Sequence, residues 1–224
     1  MHAIIENFLD PAMLRAYGPD VLEGMWVTIQ LSVLVVLSGL GAGLVLAAIR
    51  AFQIRVVNWV IVGCVDICRA LPPLVLIIVC YFGLPYLSIK LSGFVVAWLV
   101  LSGILVAFAE EVFWAGLTSV AKAQWEGARS TGLTFAQTLR FVVLPQAVRI
   151  VVPPLTSRVV AIVKNTALAS TVAVPEMLAR ASEALAQGAN TTPLTMAAVG
   201  YLVLLLPLVR VARWLETRYA WNVR

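Results

Sequence analysis

Charged side chains are scarce in this chain, and several of the few interrupt long apolar runs. Asp66 and Arg69 fall in one such run, Glu110 and Glu111 in a second, and Arg149 and Arg158 in a third that ends at Lys164. Three kinds of chemistry would use them. An intramembrane hydrolase needs paired Asp, a Ser–His arrangement or zinc ligands within its spans. Asp66 is the only Asp inside these runs, and the single histidine, His2, lies at the N-terminus. Metal or thiol chemistry needs a ligand set. Cys64 and Cys68 share a helix face at i,i+4, but with Cys80 they complete the cysteines, and the distant His2 leaves no set to assemble. They read as buried apolar residues. The third use is neutralising one another or lining a watered path through an apolar medium.

The elements around these charges must cross a membrane. The 224 residues are 62% hydrophobic and 12% charged, whereas soluble domains carry about 25% charge. A spanning helix takes about 20 mostly apolar residues. The runs predict five spans, Met25–Ile49, Val56–Tyr81, Phe94–Leu117, Val142–Val163 and Leu194–Val211. Asp66 and Arg69, at i,i+3, are expected to neutralise each other. One of Glu110 and Glu111 is expected to pair with Arg158 or Lys164 while the other lines the path, because adjacent helix residues point about 100° apart.

Basic residues set the orientation. Arg50, Arg55, Lys122, Arg129, Arg140, Arg210, Arg213, Arg218 and Arg224 fall on one side, and Arg15, Lys90 and Arg180 on the other. The richer side is expected to be cytoplasmic, with the N-terminus outside and the C-terminus inside. The net charge of +5 follows from that bias. No basic patch with interleaved aromatics points to nucleic acid. Glu6, Asp10 and Asp20 argue against a cleavable signal peptide over the first twenty residues. Between the last two spans, PEMLARASEALAQGAN predicts a short helix with Pro175 in its first turn and Gly188 at its end. Met177, Leu178, Ala181, Ala184 and Leu185 form its apolar stripe, with Glu176 and Arg180 as an i,i+4 pair.

One polar island remains, QWEGARSTGLTFAQTLRFVVLP at 124–145. Lys122–Thr131 predicts a short helix, Gly132 sits where a left-handed residue ends one, and Thr134 with Gln137 forms a capping box for the next. Trp125, Ala128 and Leu133 give the first helix an apolar edge, while Glu126 and Arg129 project from its polar side. So short a helix needs something to pack on, its own bundle or another protein's groove.

The island resembles the EAA loop of ABC importer permeases. E-G-A-R-S-T-G at 126–132, then nine residues, then V-V-L-P at 142–145 follow that loop's spacing of E-A-A, G and I-x-L-P. GMWVTIQLS at 24–32, RALPPL at 69–74, YFGLP at 81–85, SVAKAQWEGA at 119–128, LPQAVRIVVPPL at 144–155 and KNTALAS at 164–170 resemble the polar amino-acid uptake branch. The departures are Gly127 for Ala, Ala121 for Pro, Trp114 for Arg, Glu110 for a small residue and Asn165 for Asp.

The resemblance implies an all-α integral membrane protein, a five-helix type I importer permease core with a cytoplasmic coupling helix. The permease domain would cover 21–218, its coupling loop about 118–141. Residues 1–20 would form a periplasmic or interfacial segment and 219–224 a cytoplasmic tail. It implies a second permease, identical or sister, two ATP-binding subunits, a periplasmic substrate-binding protein and a bacterial inner membrane. Gln124, Glu126, Gly127, Ala128, Arg129 and Gly132 would meet the ATPase. Glu111 aligns with the family's usual acidic residue, and Arg69 opens the segment resembling its R-G-x-P. With Glu110, Arg158, Lys164, Asn165, Thr166 and Ser170 these would line the solute path, the donors of the polar run meeting the carboxylate and α-amino group that amino acids share. The chain lacks G-x-x-x-x-G-K-[ST]. It is therefore expected to be non-catalytic and without a cofactor, with ATP and Mg bound by the partner. A stand-alone carrier or channel is the alternative, though such proteins usually show repeats and more spans.

Overall fold

A computed structural model describes residues 7–219, and every regular element among them is helical. Asp10 starts α1, Pro11–Ala51, by accepting the Ala12 N–H at 2.8 Å. Pro11 fits the first turn, where no N–H is needed. Then come α2 (Arg55–Ala70), α3 (Pro73–Gly83), a 3-10 turn at Leu84–Leu87 and α4 (Gly93–Ser119). The island gives α5 (Lys122–Ser130) and α6 (Phe135–Thr138), followed by a π turn at Leu139–Val143 and α7 (Leu144–Asn165). A 3-10 stretch, Thr166–Val172, leads to α8 (Met177–Gly188) and α9 (Thr192–Tyr219).

Four of these helical stretches are long and apolar enough to cross a membrane, or five when the bent pair α2 and α3 counts as one span. The all-helical membrane architecture expected from the sequence holds. The uninterrupted second span, Val56–Tyr81, does not. The helix breaks at Leu71 and Pro72, both extended (ψ 137°), because each precedes a proline whose ring excludes the helical conformation. The first helix also starts well before the expected Met25.

The chain divides into two compact units. The first comprises the chain through Val35, Pro72–Leu101 and Ile162–Val209. Its core packs Val21, Met177, Ala181 and Ala197. The buried Glu176 caps α8 by accepting the Ala179 N–H at 2.7 Å, and also accepts the Tyr201 hydroxyl at 2.7 Å. Burial pushes this carboxyl above its usual range against those hydrogen bonds. The expected pair of Glu176 with Arg180 is therefore replaced. As the cap, Glu176 turns inward, and Arg180 reaches Glu23 at 3.5 Å and Glu183 at 3.7 Å. Pro175 lies outside the helix, which ends at Gly188 as expected and is followed by the left-handed Ala189.

The second unit comprises Val36–Leu71, Ser102–Ala161 and the chain from Arg210 onward. Ala47, Phe113, Leu117, Leu139, Val143 and Val151 lie in its main core. Gly43 allows α1 to approach α4 closely. A β-carbon there would come within 2.7 Å of the Ala109 β-carbon and 3.1 Å of the Glu110 nitrogen, the kind of small-residue contact by which membrane helices pack.

Candidate functional site

The loop helix α5 has no buried residue. Gln124, Glu126, Gly127, Arg129 and Gly132 are exposed, and Ala128 is half-buried. Its last turn is closed locally. Ser130 and Thr131 donate their hydroxyls to the Gly127 and Ala128 carbonyls at 2.8 and 2.7 Å, and the Gly132 N–H reaches the Arg129 carbonyl at 3.1 Å. Gly132 then turns the chain at φ +89°, where a β-carbon would be strained. Thr134 and Gln137 make the expected capping box, its bonds 2.9 and 3.3 Å long.

The apolar edge of α5 is anchored by aromatics. Trp125 stacks on Phe135 with ring centroids 5.3 Å apart, and Phe135 meets Phe52 at 5.2 Å. Gln146 donates to Gln124 at 3.4 Å. A cavity of 340 Å³ lies against this edge, lined by Ala51, Gln53, Trp114, Leu117, Trp125 and Phe135 among others. Beyond α6 the π turn precedes Pro145, which cannot donate an N–H and would clash with the preceding turn's carbonyl. The Leu144 N–H bonds back five residues to Leu139, the wider turn that such inserts produce. A wet, locally tied helix is thus joined through an aromatic stack to a spanning one.

The charges within the spans fall into two groups. Glu110 is fully buried and accepts both oxygens' bonds from the Arg50 Nη1, at 3.0 and 3.3 Å. The Arg50 guanidinium lies 4.5 Å from the Trp114 ring. Glu111, half exposed, pairs with Arg69 at 2.7 Å. Arg69 and Arg158 both lie over Phe108, at 5.5 and 4.4 Å.

These partners correct two expectations. Asp66 does not neutralise Arg69. It is exposed, while the long Arg69 side chain, in the last turn of α2, extends to Glu111 on α4. Neither glutamate pairs with Arg158 or Lys164. Glu110 faces α1 at Gly43, so the cation it meets is Arg50, one face-repeat further along that helix. Sequence reasoning missed Arg50, Phe108 and Trp114 as site residues. An extra buried glutamate demands a cation, and that demand was the signal for Arg50.

Arg69, Glu111 and Arg158 are brought together around Phe108. Lys164, Asn165, Thr166 and Ser170 lie in the first unit. Lys164 is exposed, Asn165 half-buried and Thr166 buried. Thr166 and Ser170 donate to their own helix at Val163 (2.7 Å) and Ala167 (2.8 Å). No cluster of three or more metal-ligating side chains occurs among the described residues.

Residues 39–221 match the family described as binding-protein-dependent transport system inner membrane component. The probable amino-acid ABC transporter permease protein YckA of Bacillus subtilis (strain 168) is 33% identical over 163 residues, covering 73% of this chain and 72% of that protein. The probable glutamine ABC transporter permease protein GlnP of the same strain is 34% identical over 213 residues, 92% of this chain and 98% of that one. The crystal structure of an amino acid ABC transporter with histidines has a chain similar at a TM-score of 0.82 and 26% identity, covering 92% of this chain and 96% of that one.

Proposed function

The chain belongs to the binding-protein-dependent transport system inner membrane components, and from that premise we propose that it is the permease subunit of an ATP-driven importer of amino acids or their derivatives. Membership of this family implies a partner ATPase and a second permease. The observation that carries the coupling reading is the exposed polar helix Lys122–Ser130, closed by Gly132 at φ +89° and stacked through Trp125 on Phe135. In this reading Gln124, Glu126, Gly127 and Arg129 enter a cleft of the ATPase, with Ala128 beside them and Gly132 fixing the helix's direction. ATP and Mg bind in the partner, and ATPase closure moves α5 and, through Phe135, the next helix. The cavity beside Trp125 gives that motion room.

Arg69, Glu111 and Arg158 line the solute path in this reading, and the run from Lys164 to Ser170 contributes at a second position. Glu110 is assigned to holding α1 against α4 through Arg50. A periplasmic binding protein delivers the solute, and the N-terminus lies outside with the C-terminus in the cytoplasm, as the distribution of Lys and Arg supports. The relatives named for amino acids and glutamine support the solute class.

Purification of the tagged chain from native membranes tests this reading. The expected result is a co-purifying ATPase subunit and, after reconstitution, solute uptake that requires ATP. Uptake by the chain alone, driven by an ion gradient, would make it a carrier instead.

A further inference from the structure

We propose that Arg158, with Arg69 on the same Phe108 ring, forms a carboxylate seat that suits the path to a solute of net negative charge, such as an acidic amino acid. The inference deepens the transport reading above and rests on it.

Arg50 and Glu110 neutralise each other, and Glu110 has no exposure left for a third group. Around Phe108 there are two cations, Arg69 and Arg158, and one anion, Glu111. Glu111 is engaged by Arg69. Arg158 makes no ion pair or hydrogen bond among the described residues and is held there by the face of Phe108 alone. The nearby acids do not serve it. Asp66 is exposed on α2 without an ion pair among the described residues, and Glu216 accepts the Thr156 hydroxyl at 2.7 Å. Counted by direct contacts, the group around Phe108 therefore has one guanidinium more than it has carboxylates.

Arg158 is exposed on this chain, and its place along a spanning helix makes a missing counter-charge costly in an apolar medium. Glu111 lies eight residues before the end of α4 at Ser119, about 12 Å along the helix axis at 1.5 Å per residue. Arg158 lies seven residues before the end of α7 at Asn165, about 10 Å along the helix axis. An ionised group so far inside a span faces a water path or a counter-charge. A guanidinium suits a carboxylate in particular, since its planar fork can meet both oxygens. Arg69 also has a buried Nε without an acceptor, so the pair has donors to spare. A solute of charge −1 completes the balance. A neutral zwitterion leaves the extra cation in place, and a cationic solute adds to it.

The test is equilibrium binding of L-glutamate, L-glutamine and L-arginine to the complete permease–ATPase complex in phosphatidylcholine nanodiscs, without binding protein. Glutamate and glutamine differ chiefly in charge. The expected result is glutamate binding at least about tenfold tighter than glutamine, the equivalent of about 1.4 kcal/mol, with arginine weakest. Arg158→Gln should erase the preference and Arg158→Lys should keep part of it. Equal binding, no saturable binding of glutamate, or a preference that survives in assembled Arg158→Gln overturns the proposal. Displacement of glutamate by added phosphatidylglycerol also overturns it, since the anion would then be a lipid phosphate. The wild-type ratio alone decides the matter if Arg158→Gln fails to assemble. ATP-driven uptake by the same wild-type complex with its binding protein separates the two readings. Uptake without a charge preference removes the carboxylate seat alone, whereas loss of ATP dependence removes the transport reading beneath it.

Discussion

The loop helix α5 and the charged pair Arg50–Glu110 lie in the same unit and solve opposite problems. The loop is specified by neighbours a few residues away. Its hydroxyls close its own carbonyls, Gly132 ends it, and Thr134 caps the helix after it. Its charged residues face outward, and its one internal ion pair, Lys122–Glu126 at 3.2 Å, is highly exposed and contributes little. The buried pair joins residues 60 positions apart. It depends on Gly43 letting two helices approach and on Trp114 covering the guanidinium. A polar surface held by local bonds can be handed to a partner without unfolding the bundle. A buried ion pair cannot lose one member at so low a cost.

That contrast orders the expected effects. Glu110→Ala should be the most damaging to assembly, costing about 3–5 kcal/mol because the largely buried Arg50 loses its counter-charge. Thermal unfolding of the purified chain reads this directly. The double variant Arg50→Met with Glu110→Leu should recover most of the loss, since an apolar pair of similar bulk needs no desolvation. Failure to recover would mean that the pair does more than hold the helices.

Thr134→Ala should cost about 1 kcal/mol by removing the cap, and the same unfolding assay measures it. Glu111→Gln should change stability by less than about 1 kcal/mol, because its pair with Arg69 is partly exposed. Among variants that assemble, it should nonetheless reduce uptake more than Glu110→Gln does. The reverse order would move the solute path to the other glutamate. The smallest effect belongs to Gly127→Ala. Nothing lies within 4 Å of the added β-carbon, so α5 should gain up to about 1 kcal/mol of helix propensity with uptake unchanged. Hydrogen exchange at α5 amides would register the gain.

The same contrast explains what the sequence disclosed. The Thr134–Gln137 box, the left-handed Gly132 and the helix between Lys122 and Ser130 are encoded within a dozen residues, and they were legible. The break at Leu71 and Pro72 is also encoded locally, but the apolar run continues across it and hides it. The partners of Glu110 and Glu111 depend on how separate helices register. Spacing shows that the two point apart, not that α1 presents Arg50 to one and α2 presents Arg69 to the other. Glu176 misleads for the same reason. An i,i+4 match to Arg180 is visible in the chain, whereas its hydrogen bond with Tyr201 across 25 positions is not. The roles of the loop face and of the group around Phe108 rest on partners outside this chain.

The central claim is that α5 transmits ATPase motion and does not merely pack. Its most direct test is solute-stimulated ATP hydrolysis and uptake, measured together on reconstituted complexes carrying Glu126→Ala or Gly132→Val. Glu126 is exposed and Gly132 has open space around it, so both variants should leave the bundle inserted. Gly132→Val places a β-branched residue at φ +89°, a strain of about 1–3 kcal/mol that misdirects the helix. Hydrolysis and uptake should fall together in both, with weaker ATPase retention in Gly132→Val. Unimpaired hydrolysis and uptake in fully assembled variants would contradict the claim.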